Sequence, residues 1–205
     1  MKKYATSQEA FWAGKFGNSY IERNKGDEIL SRKVALFSSI LRTTIGCKSV
    51  IEFGANIGLN LRALRILKPN MELSAVEINK KACQVLRKIG GCNVYNSSLH
   101  NFEPKEKKDL VLIAGVLIHI NPKMLQDVYS TLYEASGKYI CLVEYYNPRP
   151  VRVLYRGNKD KLFKRDFAGE MMDKYDDLKL VNYGFTYHRD NNFPSDDSTW
   201  FLLEK

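Results

Sequence analysis

The stretch VIEFGANIGLN, Val50–Asn60, decides the fold. Val50, Ile51 and Phe53 form a short apolar run of β-branched and aromatic residues, which reads as a buried strand. Gly54 and Gly58 follow at once, and Leu59–Leu67 (LNLRALRIL) then carries apolar residues at helical spacing. Strand, glycine turn and helix make the opening of a nucleotide-binding α/β unit. The glycines let the chain reverse tightly and lay its backbone against a ligand with no Cβ in the way. A second apolar run, Leu73–Val76, ends in Glu77. A carboxylate at the tip of the second strand is the expected partner of a ribose diol, because both hydroxyls can donate to it.

The spacing argues against a dinucleotide. That fingerprint, G-x-G-x-x-G, seats a pyrophosphate on the helix N-terminus. Here Asn56 stands two residues after Gly54, and Leu59 occupies the third glycine position. The pattern E-x-G-x-x-x-G, Glu52 to Gly58, resembles instead the first motif of class I S-adenosylmethionine-dependent methyltransferases. That cofactor has no phosphate, so a wider loop preceded by a carboxylate suits its chemistry. The plain alternative is a glycine turn in some other α/β protein.

A chain of 205 residues is expected to form one domain, 1–205, with a substantial core. No apolar stretch approaches the roughly 18 residues of a membrane span. MKKYATSQEAFW has two lysines but no following hydrophobic region, so it does not read as a signal peptide, and the expected location is cytoplasmic. Cys47, Cys83, Cys92 and Cys141 are scattered, without C-x-x-C or Cys/His pairing, which argues against zinc and against a disulfide framework. No metal is expected. Cys47, Cys83 and Cys141 read as core residues. The net charge of +9 is concentrated in one place: Arg149–Arg165 holds seven Lys/Arg residues and a single acid, Asp160. Nucleic acid, an anionic small substrate and plain solubility are all consistent with such an excess.

Residues 7–24 are rich in aromatics and punctuated by Gly14 and Gly17. They read as a helical arm packed on the domain or as a lid over the cofactor, with Tyr20 and Arg23 facing its methionine end; the whole arm spans 1–45. Asp27–Thr44 reads as an amphipathic helix with Ile29, Leu30, Val34, Leu36, Phe37, Ile40 and Leu41 on one side. Asn79–Ile89 reads as a helix with Asn79 as its N-cap, ended by Gly90-Gly91. Cys92–Tyr95 reads as a third strand, and Asn96-Ser97-Ser98 as an adenine contact or an ordinary turn. Asp109–Ile113 is the fourth strand, and Ala114–Ile120 leaves its carboxyl end, where ligands of open α/β sheets gather. This puts His119 in an active-site position, although a lone histidine among apolar residues is more often structural. Asn121-Pro122 starts a helix over Lys123–Ala135. Tyr139–Val143 is a fifth strand running into Glu144-Tyr145-Tyr146-Asn147-Pro148. The stretch 149–175 is longer than an ordinary connection and reads as a substrate-binding insertion. Leu178–Tyr187 and Thr199–Leu203 read as a closing antiparallel pair separated by a polar loop with Asp190, Asp196 and Asp197.

FWAGKFGNSYIERN, VIEFGANIGLN, GVLIHINP, EYYNPRPV, YRG, LFKRDFAGE and DDSTWFLLEK together resemble the pseudaminic acid biosynthesis-associated methylases, from Phe11 to Lys205. EYYNP followed by YRG and KRDFAGE is the more specific part of that likeness. The resemblance implies a Rossmann-like α/β methyltransferase fold: a seven-stranded, mostly parallel sheet with an antiparallel last strand and helices on both faces. It implies S-adenosyl-L-methionine as cofactor and a small anionic sugar or sugar nucleotide of bacterial surface-glycan synthesis as substrate. The expected cofactor contacts are Tyr20, Arg23, Glu52, Gly54, Asn56, Gly58, Glu77, Ile78, Ser97, Ser98, Gly115 and Val116. Tyr155, Arg156, Lys164 and Arg165 are the expected substrate contacts, since arginine grips a carboxylate or phosphate through two parallel hydrogen bonds. Glu144, His119 and Asp166 are the candidate bases for an oxygen acceptor, with Tyr145 and Tyr146 orienting it or walling off water. A neutral amine acceptor needs no strong base. Two other readings compete: an RNA or DNA methyltransferase, favoured by the charge but lacking a separate RNA-binding module, and a non-catalytic partner in a glycan-assembly complex.

Overall fold

The computed structural model describes residues 4–23 and 26–205. Met1–Lys3, with the lysine pair read above, and Asn24-Lys25, at the end of the aromatic arm, lie outside the described residues. The arm begins with α1 (Ser7–Ala13) and α2 (Lys15–Arg23), parted at Gly14, and continues into α3 (Asp27–Leu41). Thr6 and Glu9 form a reciprocal capping box on α1, which satisfies backbone donors that the first turn leaves over.

The central unit then alternates as its periodicities predict: β1 (Ser49–Phe53), α4 (Leu59–Leu67), β2 (Glu72–Val76), α5 (Lys80–Leu86), β3 (Cys92–Tyr95) and β4 (Lys108–Ala114). The helix expected over Asn79–Ile89 splits into α5 and a 3-10 turn at Arg87–Ile89. Asn79 is its N-cap, its side chain accepting from Lys81 and Ala82 N–H. Beyond a 3-10 turn at Leu117–His119 and another at Pro122–Met124, α6 (Leu125–Ala135) passes directly into β5 (Ser136–Glu144).

The stretch 149–175 folds into a separate hairpin, β6 (Val151–Tyr155) and β7 (Asn158–Lys164), followed by α7 (Phe167–Lys174). Its two-residue turn, Arg156-Gly157, has φ of +47° and +77°, the left-handed pair that matches strand twist in a tight hairpin. The last two strands are β8 (Lys179–Phe185) and β9 (Thr199–Glu204).

One seven-stranded sheet results, in the order β3-β2-β1-β4-β5-β9-β8. β1 to β5 are parallel, and β9 runs antiparallel between β5 and β8. The strand order reverses beside β1, so β1 and β4 diverge in their connections and leave a crevice at their carboxyl ends. Parallel strands are covered on both faces, hence the unbroken burial of Val50–Phe53 and Leu110–Ile113. α6 and α7 cover one face through Val128, Leu132, Phe167 and Met171. α3 and α4 cover the other through Phe37, Ile40, Leu61 and Leu64. Cys47, Cys83 and Cys141 are buried free thiols. No helix among the described residues is long and apolar enough to cross a membrane.

Candidate functional site

The tips of β1, β2, β4 and β5 open into a cavity of about 460 Å³. Register explains why they converge: Phe53 pairs with both Val76 and Ile113, so Gly54 and Glu77 leave the sheet level with Ala114, the last residue of β4. Gly54 has φ of +73°, and a Cβ there would stand 2.5 Å from a Val116 methyl. Only glycine fits against the β4 loop at that point.

Glu77 accepts backbone N–H groups from Asn56 at 2.8 Å and Asn79 at 2.6 Å. Burial raises its pKa, and backbone N–H bonds from Asn79, Asn56 and Ile78 pull back against that rise. The carboxylate keeps lone-pair capacity for a ligand hydroxyl. Glu52 lies deeper. Its Oε1 accepts from Asn60 Nδ2 at 2.6 Å, while its Oε2 and Asn60 Oδ1 are buried without a partner among the described residues. Burial pushes Glu52 up to about 8, opposed by the Asn60 bond and the charge of Lys33. A cationic donor with several protons would satisfy both oxygens and favour the ionised form of Glu52. Trp12 Nε1 and Ser98 Oγ, also on the cavity wall, are buried and unpartnered too.

The Leu117–His119 turn is held from β5. Glu144 accepts N–H groups from Val116 and Leu117 at 2.9 Å and from Ile118 at 3.4 Å. Burial raises Glu144 to about 7, against the pull of those N–H groups. Among the three candidate bases this counts against Glu144, because its oxygens are committed to the loop backbone. His119 is placed differently. Its Nδ1 lies 2.5 Å from the Lys161 carbonyl, a contact that requires a proton on Nδ1 and leaves Nε2 as the acceptor nitrogen. Burial lowers His119 to about 4, so the ring is neutral. It stands 4.6 Å from the Trp12 ring and 4.8 Å from Tyr155.

Trp12 comes from the arm and Tyr155 from the hairpin, and these two additions meet over the cavity. Gln8 Nε2 donates to Asp160 O at 3.0 Å, and Lys161 Nζ donates to Ser7 Oγ at 3.0 Å. Asn79 Nδ2 donates to Trp12 O and Asn18 Oδ1, tying the arm to the tip of β2. Glu9 contacts His100 at 2.9 Å on the loop after β3.

Of the expected site residues, the cavity brings together Tyr20, Arg23, Glu52, Gly54, Asn56, Glu77, Ile78, Ser98, Gly115, Val116, His119, Glu144, Tyr145, Tyr155 and Arg156. Six others stand outside its wall. Gly58 packs under α5, where a Cβ would strike Ile89 and Leu86 side chains. Ser97 faces a separate recess with Asn96 and Tyr95. Tyr146 is exposed, its ring 5.9 Å from Phe201. Asp166 caps α7, accepting from Gly169 N at 2.8 Å. Arg165 pairs with Glu170 at 2.7 Å on the same helix. Lys164 lies 5.1 Å over the Tyr145 ring, one residue removed from the cavity.

Sequence reasoning missed Lys33 and Asp196. Lys33 lines the cavity from α3, its charge disfavoured by burial and supported by Glu52 and Asp196. A signal existed: Lys33 interrupts the apolar side of that helix, four residues after Ile29 and three before Leu36. Asp196 comes from the long β8–β9 loop. Two of that loop's three aspartates fasten it, Asp190 accepting from Asn192 and Phe193 N–H and Asp197 engaging His188. The third, Asp196, lines the cavity with Thr186, Ser195 and Ser198, and its hydrogen bond with Tyr145 contributes, after burial, to raising that phenol. Among the described residues, no group of His, Cys, Asp and Glu forms a metal cluster.

No family model matches the chain, and no curated protein matches it in sequence. Solved structures do match. The magnesium protoporphyrin IX methyltransferase of Synechocystis PCC 6803, with bound S-adenosylmethionine, superposes at a TM-score of 0.68 and 12% identity over 100% of both chains. The plantazolicin methyltransferase BpumL, with S-adenosylhomocysteine and a substrate analogue, gives 0.67 and 13% over 97% of this chain and 94% of that one. A glycopeptide N-methyltransferase with S-adenosylmethionine gives 0.62 and 11% over 83% and 86%. The chain therefore has the Rossmann-like fold of class I methyltransferases, its sheet closed by an antiparallel strand in the manner of these enzymes.

Proposed function

We propose that the chain is an S-adenosylmethionine-dependent methyltransferase acting on a small polyhydroxylated anion, a pseudaminic acid-type sugar or its nucleotide-activated form. The buried, unpartnered pair of Glu52 Oε2 and Asn60 Oδ1 carries the cofactor half of this reading. An α-ammonium group supplies the charge and the protons both acceptors lack, and Glu77 offers its remaining lone pairs to a ribose diol. Such a cofactor supplies an electrophilic methyl group on a sulfonium.

The chain's own residues do the rest. The Gly54–Asn60 turn carries Asn60 to the buried carboxyl of Glu52. Glu144 fixes the backbone after β4 through Val116 and Leu117. The ring of His119, neutral through burial and oriented by Lys161 O, accepts at Nε2 the proton an acceptor hydroxyl loses as its oxygen takes the methyl. Trp12, Tyr20 and Tyr155 limit water around that nitrogen. Tyr20, Tyr145, Thr186, Ser195, Asp196 and Ser198 make a hydroxyl-rich wall suited to a polyol, and Arg156 at the hairpin tip is placed for its carboxylate or phosphate.

Incubating the protein with S-adenosylmethionine and pseudaminic acid, its cytidine-monophosphate form, or RNA, followed by mass spectrometry, tests the reading. A methyl increment on the sugar is expected. The net charge of +9 favours nucleic acid as the second reading, and methylated RNA with unmodified sugar would establish it in place of the first.

A further inference from the structure

Lys33 enters the cavity from α3, on the same wall as Ile29 and Leu36. The helix is fixed to the sheet through Phe37 and Ile40, so its lysine is carried at a set place among apolar neighbours. Burial disfavours its charge, and the carboxylates of Glu52 and then Asp196 support it. Neither acid reaches it in an ion pair among the described residues. An ammonium left this way carries a desolvation cost that a well-placed anion offsets.

Across from it lie the two buried acceptors without partners among the described residues, Glu52 Oε2 and Asn60 Oδ1. The charges of Glu52 and Lys33 act on each other. An acid and an amide on one side and an ammonium on the other complement a zwitterion better than a simple cation, because a bare cation on Glu52 would also face Lys33. In an α-amino acid the carboxyl carbon stands about 2.5 Å from the ammonium nitrogen, so a head group seated on Glu52 brings its carboxylate into the same corner. Two other cations on the wall are turned to aromatic rings. Arg23 lies over Phe16 and Tyr20 at 5.3 Å and 5.7 Å, and Arg156 lies over Tyr155 at 5.9 Å.

We infer that Lys33 binds the α-carboxylate of the cofactor, so that Lys33 facing Glu52 and Asn60 selects the complete amino-acid zwitterion. Asp196 steadies the ammonium from the acceptor side of the cavity. The inference rests on the proposed cofactor and gives α3 a part in choosing it.

Isothermal titration of the 205-residue chain with S-adenosylmethionine and with its decarboxylated form is the test. The decarboxylated form keeps the sulfonium and the ammonium and lacks only the carboxylate. The wild type is expected to prefer S-adenosylmethionine by about 10–100-fold, the range of a hydrogen bond between charged groups. Lys33→Met, with its fold checked by circular dichroism, is expected to lose that preference by weakening on S-adenosylmethionine alone. Lys33→Arg is expected to regain part of it. Equal wild-type affinities, a preference undiminished in Lys33→Met, or an equal loss for both ligands would overturn the role of Lys33 and leave the cofactor reading standing. A folded wild type that binds neither ligand would overturn both.

Discussion

At the tip of β2, Glu77 braces two turns at once, through Asn56 and Asn79 N–H. Glu77→Gln keeps one acceptor oxygen but loses the charge. It is expected to weaken S-adenosylmethionine binding by about 1.5–3 kcal/mol in calorimetry, as for a hydrogen bond to a charged group. The same change should lower the melting temperature, because the carboxylate also serves the backbone; an unchanged affinity would remove Glu77 from the cofactor site. Glu52 makes a different prediction. With its pKa at about 8, it is mostly protonated at pH 7, and a bound ammonium favours its ionised form. Cofactor binding should then release a proton at pH 7 and none at pH 9, read by calorimetry in buffers of different ionisation enthalpy. Equal release at both pH values would contradict this.

His119 links the site to stability. Its folded pKa, about 4, lies below the ordinary 6.5, so the unfolded chain binds more protons between those values. The contribution is complete above pH 6.5 and is lost as pH falls toward 4, about 3 kcal/mol in all. His119→Asn should flatten that part of the stability profile, measured by urea titration from pH 7 to 4. Its turnover of an oxygen acceptor should drop about 10²–10⁴-fold. A wild-type profile already flat over this range would refute the buried neutral imidazole.

Among the elements, the arm and the β6–β7 hairpin lie outside the seven-stranded sheet. They meet through Gln8, Ser7, Trp12 and Tyr155, so neither closes the cavity alone. Deleting residues 1–25 removes Trp12, Tyr20 and Arg23 from the wall and exposes His119. Cofactor affinity and turnover should both fall, while far-ultraviolet circular dichroism of the sheet persists; normal affinity in the truncated protein would leave the arm a packing element only. The strand tips were readable beforehand because Gly54 and Glu77 are marked by residue type at fixed positions after apolar runs. Asp166 and Arg165, expected as a base and a substrate contact, stand at the start of α7 instead, since an aspartate just before a helical stretch is also an N-cap. Asp196 had no local signal. It reaches the cavity only because β8 and β9 pair and fold their loop back over the strand tips, a long-range fact that no spacing encodes. Lys33 was concealed by the apolar pattern around it.

Over the whole molecule, several separate elements contribute to the wall of one cavity. The strand tips and α4 supply Glu52, Glu77 and Asn60 to its wall, the arm supplies Tyr20, the hairpin Tyr155 and Arg156, and the β8–β9 loop Asp196. The fold agrees with that of solved methyltransferases at identities of 11–13%. The central claim is that this cavity binds S-adenosylmethionine. Isothermal titration of the 205-residue chain with S-adenosylmethionine, with nicotinamide adenine dinucleotide as the control, tests it most directly. The account predicts saturable one-to-one binding of S-adenosylmethionine, weakened in Glu77→Gln, and no binding of the dinucleotide. Absence of S-adenosylmethionine binding by the folded protein, or equal binding of the dinucleotide, would contradict it.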